Sequence, residues 1–414
     1  MKTNTAWMGD AASDPSETDT GAKAFGSETK PFGPDARADF MLERGLTYLN
    51  HGAFGACPRP VMGAAHALRE RIEGQPSRFL TTELAPLLRQ TADRLGHYLG
   101  ARGEDIVFLD NATTAINAVL RSLVLFPGDD ILTTSQTYGA VMRTLEFVCD
   151  RAEARLIPVH LDYPAIDADS VVQTILDAVT PRTRLLVIDH ITSKTASILP
   201  VAEIAAECAE RGILVLVDGA HGPGMVDTDI DAMGVTWYTG NCHKWIGAPR
   251  GAAFLWTTPD RQPFLRPTTI SHHVSEGYTP AFDWPGTKDF TPYLTVPAAL
   301  DYRAEYGEAR LTAYCRDLAI QAGAHLASEI GTSVGVPPDM TGFMTTVKLP
   351  AAFGRARQDT ANAIRLTLRT DHDVEVDIQA FEGSLWMRLS LYVYNDMEDV
   401  DRLARAINAI RPSS

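Results

Sequence analysis

A chain of 414 residues is long for one simple core and short for three domains, which suggests two domains or one large one. Its net charge of −15, from 37 basic and 52 acidic residues, argues against general affinity for nucleic acid or an anionic membrane, and no apolar run approaches the roughly 18–20 residues of a membrane helix. The five cysteines (Cys57, Cys149, Cys208, Cys242 and Cys315) are odd in number and unclustered, so they offer neither a zinc spacing nor a disulfide framework; no metal site is expected, and a reducing cytoplasm fits.

In chain order, MKTNTAWMGDAASDPSETDTGAKAFGSETKPFG is rich in Ser, Thr, Asp and Gly and lacks the apolar core of a signal peptide. It reads as a flexible leader over 1–34. Short β-branched runs then alternate with amphipathic stretches. DIVFLD (105–110), DDILTTS (129–135), RLIPVHL (155–161), RLLVIDH (184–190), GILVLVDGAH (212–221) and GAAFLW (251–256) predict strands, several of them apolar throughout, as in a sheet covered on both faces. TTAINAVLRSLVL follows the first strand as a helix, and VAEIAAECAERG precedes the fifth, ending at Gly212 as a C-cap. This alternation predicts a mostly parallel α/β sheet. After about residue 270 the texture changes. MTTVKLP, VEVDIQAF and LWMRLSLYVY read as strands of a smaller α+β unit, and MEDVDRLARAINAI closes the chain as a helix with apolar residues at 397, 400, 403 and 407.

The stretch GNCHKWIGAPRG (240–251) sets one lysine, Lys244, between a histidine and a tryptophan, followed at once by glycine and proline. A lysine made nucleophilic by its surroundings forms Schiff bases with aldehydes, and the commonest aldehyde cofactor is pyridoxal 5′-phosphate (PLP). Such a site also needs an anion-binding helix N-terminus, a carboxylate for the pyridinium nitrogen and a flat group against the ring. Asp218 ends the apolar strand ILVLVDGAH, 26 residues before Lys244, at the strand end where α/β sheets bind ligands; a turn or helix-cap aspartate would read the same. His221, in the same loop, is within reach of the ring oxygen. DNATTAIN (110–117) leaves a strand and enters a helix. Ala112 and Thr113 are small enough for their N–H groups to approach a phosphate, and Thr113 adds a hydroxyl, although an ordinary N-cap at Asn111 or Thr113 fits the same residues. Tyr138, in SQTYGA, is the candidate ring-stacking aromatic or else an ordinary half-buried tyrosine. Arg388 interrupts the apolar strand pattern LWMRLSLYVYN. A guanidinium there needs an anionic partner, either an amino-acid carboxylate held bidentately or a structural salt bridge.

Together these residues resemble the class V aminotransferase group of fold-type I PLP enzymes, and within it the isopenicillin N epimerase-like branch. The motifs that carry the resemblance are YLNHGAFGACPRPV (48–61), DNATTAIN, DHITSKTASILPV (189–201), VDGAHGPG (217–224), YTGNCHKWIGAPRG (238–251), WPGTKDFTPYLTVPAAL (284–300) and MRLSLYVYN (387–395). The resemblance implies a fold-type I α/β architecture: a mostly parallel seven-stranded sheet in a large PLP-binding domain over 60–274, and a smaller α+β domain from 35–59 with 275–414. It also implies roles. Lys244 would carry PLP and act as acid and base, Asp218 would pair with the ring nitrogen, and His221 and Ser193 would lie near the ring oxygen. Ala112, Thr113, Asn241 and His243 would hold the phosphate, and Thr287 would complete the phosphate site of the other subunit in an obligatory homodimer. Arg388 would bind the substrate carboxylate, Asn50 and His51 would line the substrate side, and His272 and His273 would stand at the mouth.

The chemistry expected is deprotonation of an amino acid at Cα, followed by β-elimination of the C–S lyase type or by epimerisation. A class V aminotransferase is the alternative. Sulfur transfer of the cysteine desulfurase kind is disfavoured because no cysteine follows Cys315. A non-catalytic PLP-fold protein is disfavoured by the joint presence of Lys244, Asp218 and Arg388.

Overall fold

The computed structural model describes residues 29–412. Most of the leader, residues 1–28, lies outside the described residues. Its last residues depart from the expectation of flexibility. Lys30 pairs with Asp39 and Glu305 at 2.8 and 2.9 Å, the Gly33 N–H donates to the Val393 carbonyl, and Phe32 stacks on Tyr314 at 4.1 Å.

The strands, in order, are β1 (Thr47–Tyr48), β2 (Ile106–Leu109), β3 (Asp130–Thr134), β4 (Arg155–Val159), β5 (Thr183–Asp189), β6 (Leu214–Gly219), β7 (Trp237–Asn241), β8 (Ala253–Thr257), β9 (Met344–Lys348), β10 (Val374–Glu375), β11 (Asp377–Phe381) and β12 (Ser384–Ser390). Seven of them form one sheet in the order β2-β8-β7-β6-β5-β3-β4. Within it β8 alone runs antiparallel to its neighbours. Helices cover both faces, which is why β2, β3 and β8 are buried at every residue and need no polar alternation.

The sequence pattern gave no strand at β7. WYTGN carries a glycine, a threonine and an asparagine and lacks a β-branched apolar run. Its pairing to β6 on one side and β8 on the other supplies what local propensity does not.

Because β2, β3, β5, β6 and β7 point the same way, the segments that leave them meet at one edge of the sheet. That edge is where the residues of the site converge.

The later part of the chain forms an antiparallel sheet, β11-β12-β9, with the short parallel pair β1-β10 tying residues 47–48 to it. Three helices, Glu308–Ile330, Gln358–His372 and Met397–Ile410, bury their apolar faces against these strands. In the last of them Val400, Leu403 and Ile407 are fully buried, at about 1.5–3 kcal/mol each for complete burial. Asp396 caps it by accepting the N–H groups of Glu398 and Asp399. The apolar run LWMRLSLYVY does not stay extended to its end: β12 stops at Ser390, and Asn395 turns the chain by accepting the Tyr392 N–H at 3.0 Å.

Candidate active site

A cavity of about 490 Å³ opens at the C-terminal edge of the seven-stranded sheet. Asn111 to Thr114 enter it from β2, Tyr138 from β3, Asp189 and Ser193 from β5, Asp218 and His221 from β6, and Asn241, His243 and Lys244 from β7. Ala53 and Phe54 close one side.

Lys244 sits in a single π-helical turn, Cys242–Ile246, which Gly247 ends with a left-handed φ of 85°. Glycine backbone packs against this turn: a Cβ on Gly55 would collide with the His243 carbonyl, and one on Gly224 would stand 2.8 Å from the Trp245 carbonyl carbon. Carbonyls that so short a turn leaves unpaired are met by side chains. The His51 Nε2–H donates to the Lys244 carbonyl at 3.0 Å, and Arg303 Nη1 and the Tyr392 hydroxyl donate to the Trp245 carbonyl at 2.5 and 3.2 Å. The lysine's main chain is therefore fixed by residues from both ends of the described chain.

The amine of Lys244 lies 3.1 Å from His221 Nε2. Burial, with the positive charge of Arg388, pulls it down to about 7, against the opposing pull of Asp218 and Asp189. His221 is itself held well below the usual imidazole range by burial and by the nearby cations, so its ring is neutral. On its other side, His221 Nδ1 accepts the indole N–H of Trp245 at 3.2 Å.

Asp218 ends β6 and accepts the Ala220 N–H at 3.0 Å. Burial raises its pKa. Asp189, its register partner on β5, also faces the cavity. Sequence reasoning missed Asp189, although it stands at the end of an apolar strand just as Asp218 does, and the same strand-end argument points to it.

At the helix Ala112–Ser122, Asn111 is the N-cap and accepts the Thr114 N–H at 2.8 Å. The Ala112 N–H, expected to meet a phosphate, instead donates to Asn241 Oδ1 at 2.9 Å. Among the described residues the Thr113 N–H has no partner at this helix end, and the Asn241 amide group flanks it. His243 donates from Nδ1 to the Ala252 carbonyl at 2.9 Å, which leaves Nε2 as its second polar atom. Tyr138 precedes the helix Gly139–Ala152 and is about half exposed at the cavity wall.

Five expected residues stand elsewhere. His51 does not line the cavity: it is fully buried beneath the lysine turn, stacked on Tyr392 at 4.1 Å, and with Nε2 donating, its Nδ1 accepts the Tyr394 hydroxyl at 2.8 Å. Thr287 is exposed and outside the cavity of its own chain, while the neighbouring Lys288 pairs with Asp110. His272 and His273 lie outside it too, with His273 bound to Glu276 at 2.8 Å. Asn50 is buried beside Arg388, its Oδ1 3.5 Å from Nη2.

Arg388 stands one layer behind the cavity wall. It donates to the Ser193 carbonyl, lies 3.3 Å from the Ser193 hydroxyl, and faces Asp377 across the β11–β12 register at 3.4 Å. Its Nε is buried with no partner among the described residues.

The set as a whole fits a phosphorylated aromatic aldehyde. It has a buried amine near neutrality, a strand-end carboxyl pair, a helix N-terminus with one free amide, and a volume suited to a small cofactor. The class V aminotransferase model matches residues 47–403. The chain belongs to the class V aminotransferase family. It is 33% identical over 403 residues to the isopenicillin N epimerase of Amycolatopsis lactamdurans, covering 91% of this chain and 98% of that protein. It is 32% identical over 413 residues to a putative L-cysteine desulfhydrase of Oryza sativa subsp. japonica, covering 90% and 85%. Among solved structures, a cystine C-S lyase in complex with cysteine persulfide shares the fold, with a TM-score of 0.78, 20% identity, and coverage of 89% and 99%. A cysteine desulfurase from Escherichia coli does so with a TM-score of 0.75, 20% identity, and coverage of 90% and 96%.

Within this family fold, none of the five cysteines reaches the cavity wall. Cys242 borders the lysine but is fully buried, and burial raises its thiol pKa. Cys315 lies inside the helix Glu308–Ile330, buried as well.

Proposed function

We propose that this class V family member is a PLP-dependent enzyme that deprotonates an amino acid at Cα, with β-elimination across a carbon–sulfur bond or epimerisation as the outcome. The observation that carries this reading is the buried amine of Lys244, pulled to about 7, in one cavity with strand-end Asp218 and a helix N-terminus. When bound, PLP supplies an aldehyde that condenses with amines and a ring that takes up the electron pair left at Cα.

The chain's residues do the rest. Asp218 would hold the proton of the ring nitrogen, His221 and Ser193 would face the ring oxygen, and Thr113, Asn241 and His243 would meet the phosphate. Tyr138 would cover the ring. Once free, the amine of Lys244 accepts the α-proton, a transfer suited to a base poised near the working pH. Arg388 would fix the substrate carboxylate and so choose which bond at Cα breaks.

In elimination the Cα–H bond breaks and its proton passes to Lys244. A Cα=Cβ double bond forms as the Cβ–S bond breaks, and the sulfur leaves with the bonding pair as a thiolate, which takes the proton back from Lys244 to depart as the thiol. Epimerisation needs a second acid on the face opposite the lysine. Apart from Lys244, the titratable lining residues are Asp189, Asp218, His221, His243 and Tyr138. The first four belong to the ends that hold the ring and phosphate, so Tyr138, placed to cover the ring, is the residue left for that task.

Incubation with an amino-acid panel in D₂O, read by mass spectrometry, tests this. Released thiol with loss of substrate supports elimination, Cα deuterium in intact substrate supports epimerisation, and a keto acid that retains its side chain supports transamination. No exchange or turnover with any member would overturn the reading.

We also propose a cytoplasmic homodimer with shared sites. Support comes from the free state of all five cysteines, and from an exposed Thr287 that takes no part in its own cavity.

A further inference from the structure

We propose that Trp245 is a positioning residue that fixes the ring of His221 as a hydrogen-bond donor toward the amine of Lys244. An indole nitrogen can only donate. With Trp245 Nε1 at 3.2 Å, His221 Nδ1 must present a lone pair, so the single proton of the neutral ring sits on Nε2. That N–H then points at Lys244 Nζ, 3.1 Å away. A free amine accepts it; an ammonium would set donor against donor. The tautomer chosen by Trp245 thus favours the uncharged lysine, the form that acts as nucleophile and base.

The indole is held in this orientation. Trp245 is fully buried, edge-on to Phe343 at 5.6 Å, with the His51 ring 4.9 Å away and its carbonyl gripped by Arg303 and Tyr392. The other charged and titratable groups that act on the amine are Asp218 on β6, Asp189 on β5 and Arg388 on β12, with His243 in its own turn. The two carboxyls favour the charged amine and the guanidinium opposes it, so the direction in which His221 presents its proton adds to a divided field. The same Nε2–H is the group an anionic ring oxygen would need, so one tautomer serves the free and the loaded chain. The inference stands on the chain without cofactor, and it holds or fails independently of the reaction assigned above.

The test uses the apoprotein. Two-bond ¹⁵N–¹H spectra of ¹⁵N-histidine protein report each tautomer, with His221 assigned by its loss in His221→Gln. The expected result is Nε2–H in the parent and a mixed or Nδ1–H state in Trp245→Phe. In parallel, reductive methylation of Lys244 against pH, followed by peptide mass, reads the amine directly. Trp245→Phe should raise its midpoint by about one pH unit, a loss of about tenfold in reactivity below it. Phe343→Leu, which loosens the indole's packing but keeps its N–H, should move neither quantity. An Nδ1–H tautomer in the parent overturns the proposal, and that measurement decides alone should Trp245→Phe not fold. So does an unchanged midpoint in Trp245→Phe, or an equal shift in Phe343→Leu.

Discussion

Asp189 and Asp218 are register partners at the ends of neighbouring parallel strands, and both buried carboxyls face the same cavity. Two carboxyls so placed do not both ionise readily, because burial and mutual repulsion oppose the second charge. Burial raises both. The charge of Asp218 raises Asp189 further, with Lys194 offsetting part of the effect, while the Ala220 N–H and Lys244 act on Asp218 in the opposite sense. Asp189 is accordingly pushed toward its neutral form by burial and by its neighbour together, whereas Asp218 has the Ala220 N–H and Lys244 to favour its charge.

That division of roles predicts unequal amide variants. Asp189→Asn keeps the shape of a carboxyl that burial and Asp218 both push toward its neutral form, and should leave kcat/KM within a few fold. Asp218→Asn removes the carboxylate that would stabilise a pyridinium and should lower kcat/KM by well over tenfold, that is, by more than about 1.4 kcal/mol. Kinetics with the best substrate, beside the absorbance spectrum of bound PLP, check this. Equal losses, or the reverse order, would show the charge on the wrong residue.

Lys244 gives the apoprotein a pH signature whose sign follows from linkage. Its folded value of about 7 lies below the ordinary 10.5, so between these values the unfolded chain holds a proton that the native chain has released. The lysine's contribution to stability therefore rises with pH across that window, is complete above 10.5 and is lost as pH falls through 7. Lys244→Met cannot titrate. Its stability advantage over the parent, measured by urea unfolding, should be largest below pH 7 and shrink steadily toward pH 10. A gap independent of pH would place the amine in water.

The legible part of this site was the part that chemistry writes into single letters. Lys244 and Asp218 could be placed because a lysine among glycines follows an aspartate closing an apolar strand, although a turn or helix-cap aspartate alone would read the same. Asp189 was legible by the same rule and was passed over. The roles of Trp245 and His51 were not legible. Their function lies in which atom faces which, and a tryptophan beside a lysine looks like core until the turn Cys242–Ile246 is seen to leave carbonyls that need donors. β7 was hidden for a related reason. WYTGN is a poor strand locally and becomes one only between β6 and β8. The bond from the Ala112 N–H to Asn241 was hidden because the two residues are 129 positions apart.

Shared sites in a homodimer predict recovery of activity on subunit exchange. Lys244→Ala and Thr287→Arg are each expected to be inactive. If Thr287 serves the partner's phosphate site, a mixed dimer carries both lesions in one site and none in the other. Up to half of the parent activity per mixed dimer should return, and borohydride reduction should tag Lys244 only in the Thr287→Arg subunit. No recovery after exchange confirmed by mass spectrometry would refute sharing, as would a monomer by light scattering.

Arg388 decides what kind of molecule the cavity accepts. Its guanidinium is almost fully buried, and burial lowers its pKa against the opposing pull of Asp377. Asp377 compensates the charge at 3.4 Å from one nitrogen, Ser193 occupies a second, and Nε has no partner among the described residues. The link to Ser193, at the cavity wall, is what a structural ion pair alone does not require and a substrate carboxylate reaching past Ser193 would. Arg388→Lys keeps the charge and loses the planar fork, so kcat/KM for amino acids should fall by about 2–4 kcal/mol, the scale of truncating one side of a buried charge pair. PLP loading and the apoprotein's urea midpoint should change little. Asp377→Asn separates the two roles. If Asp377 is the essential partner, this variant destabilises the fold by about 3–5 kcal/mol, as breaking a buried pair does. If Arg388 serves the substrate, Asp377→Asn leaves a guanidinium with less compensation, and KM for amino acids should fall while stability declines less. Unchanged kinetics in Arg388→Lys together with a large loss of stability in Asp377→Asn would make this a structural pair and remove the argument that the substrate is an α-amino acid.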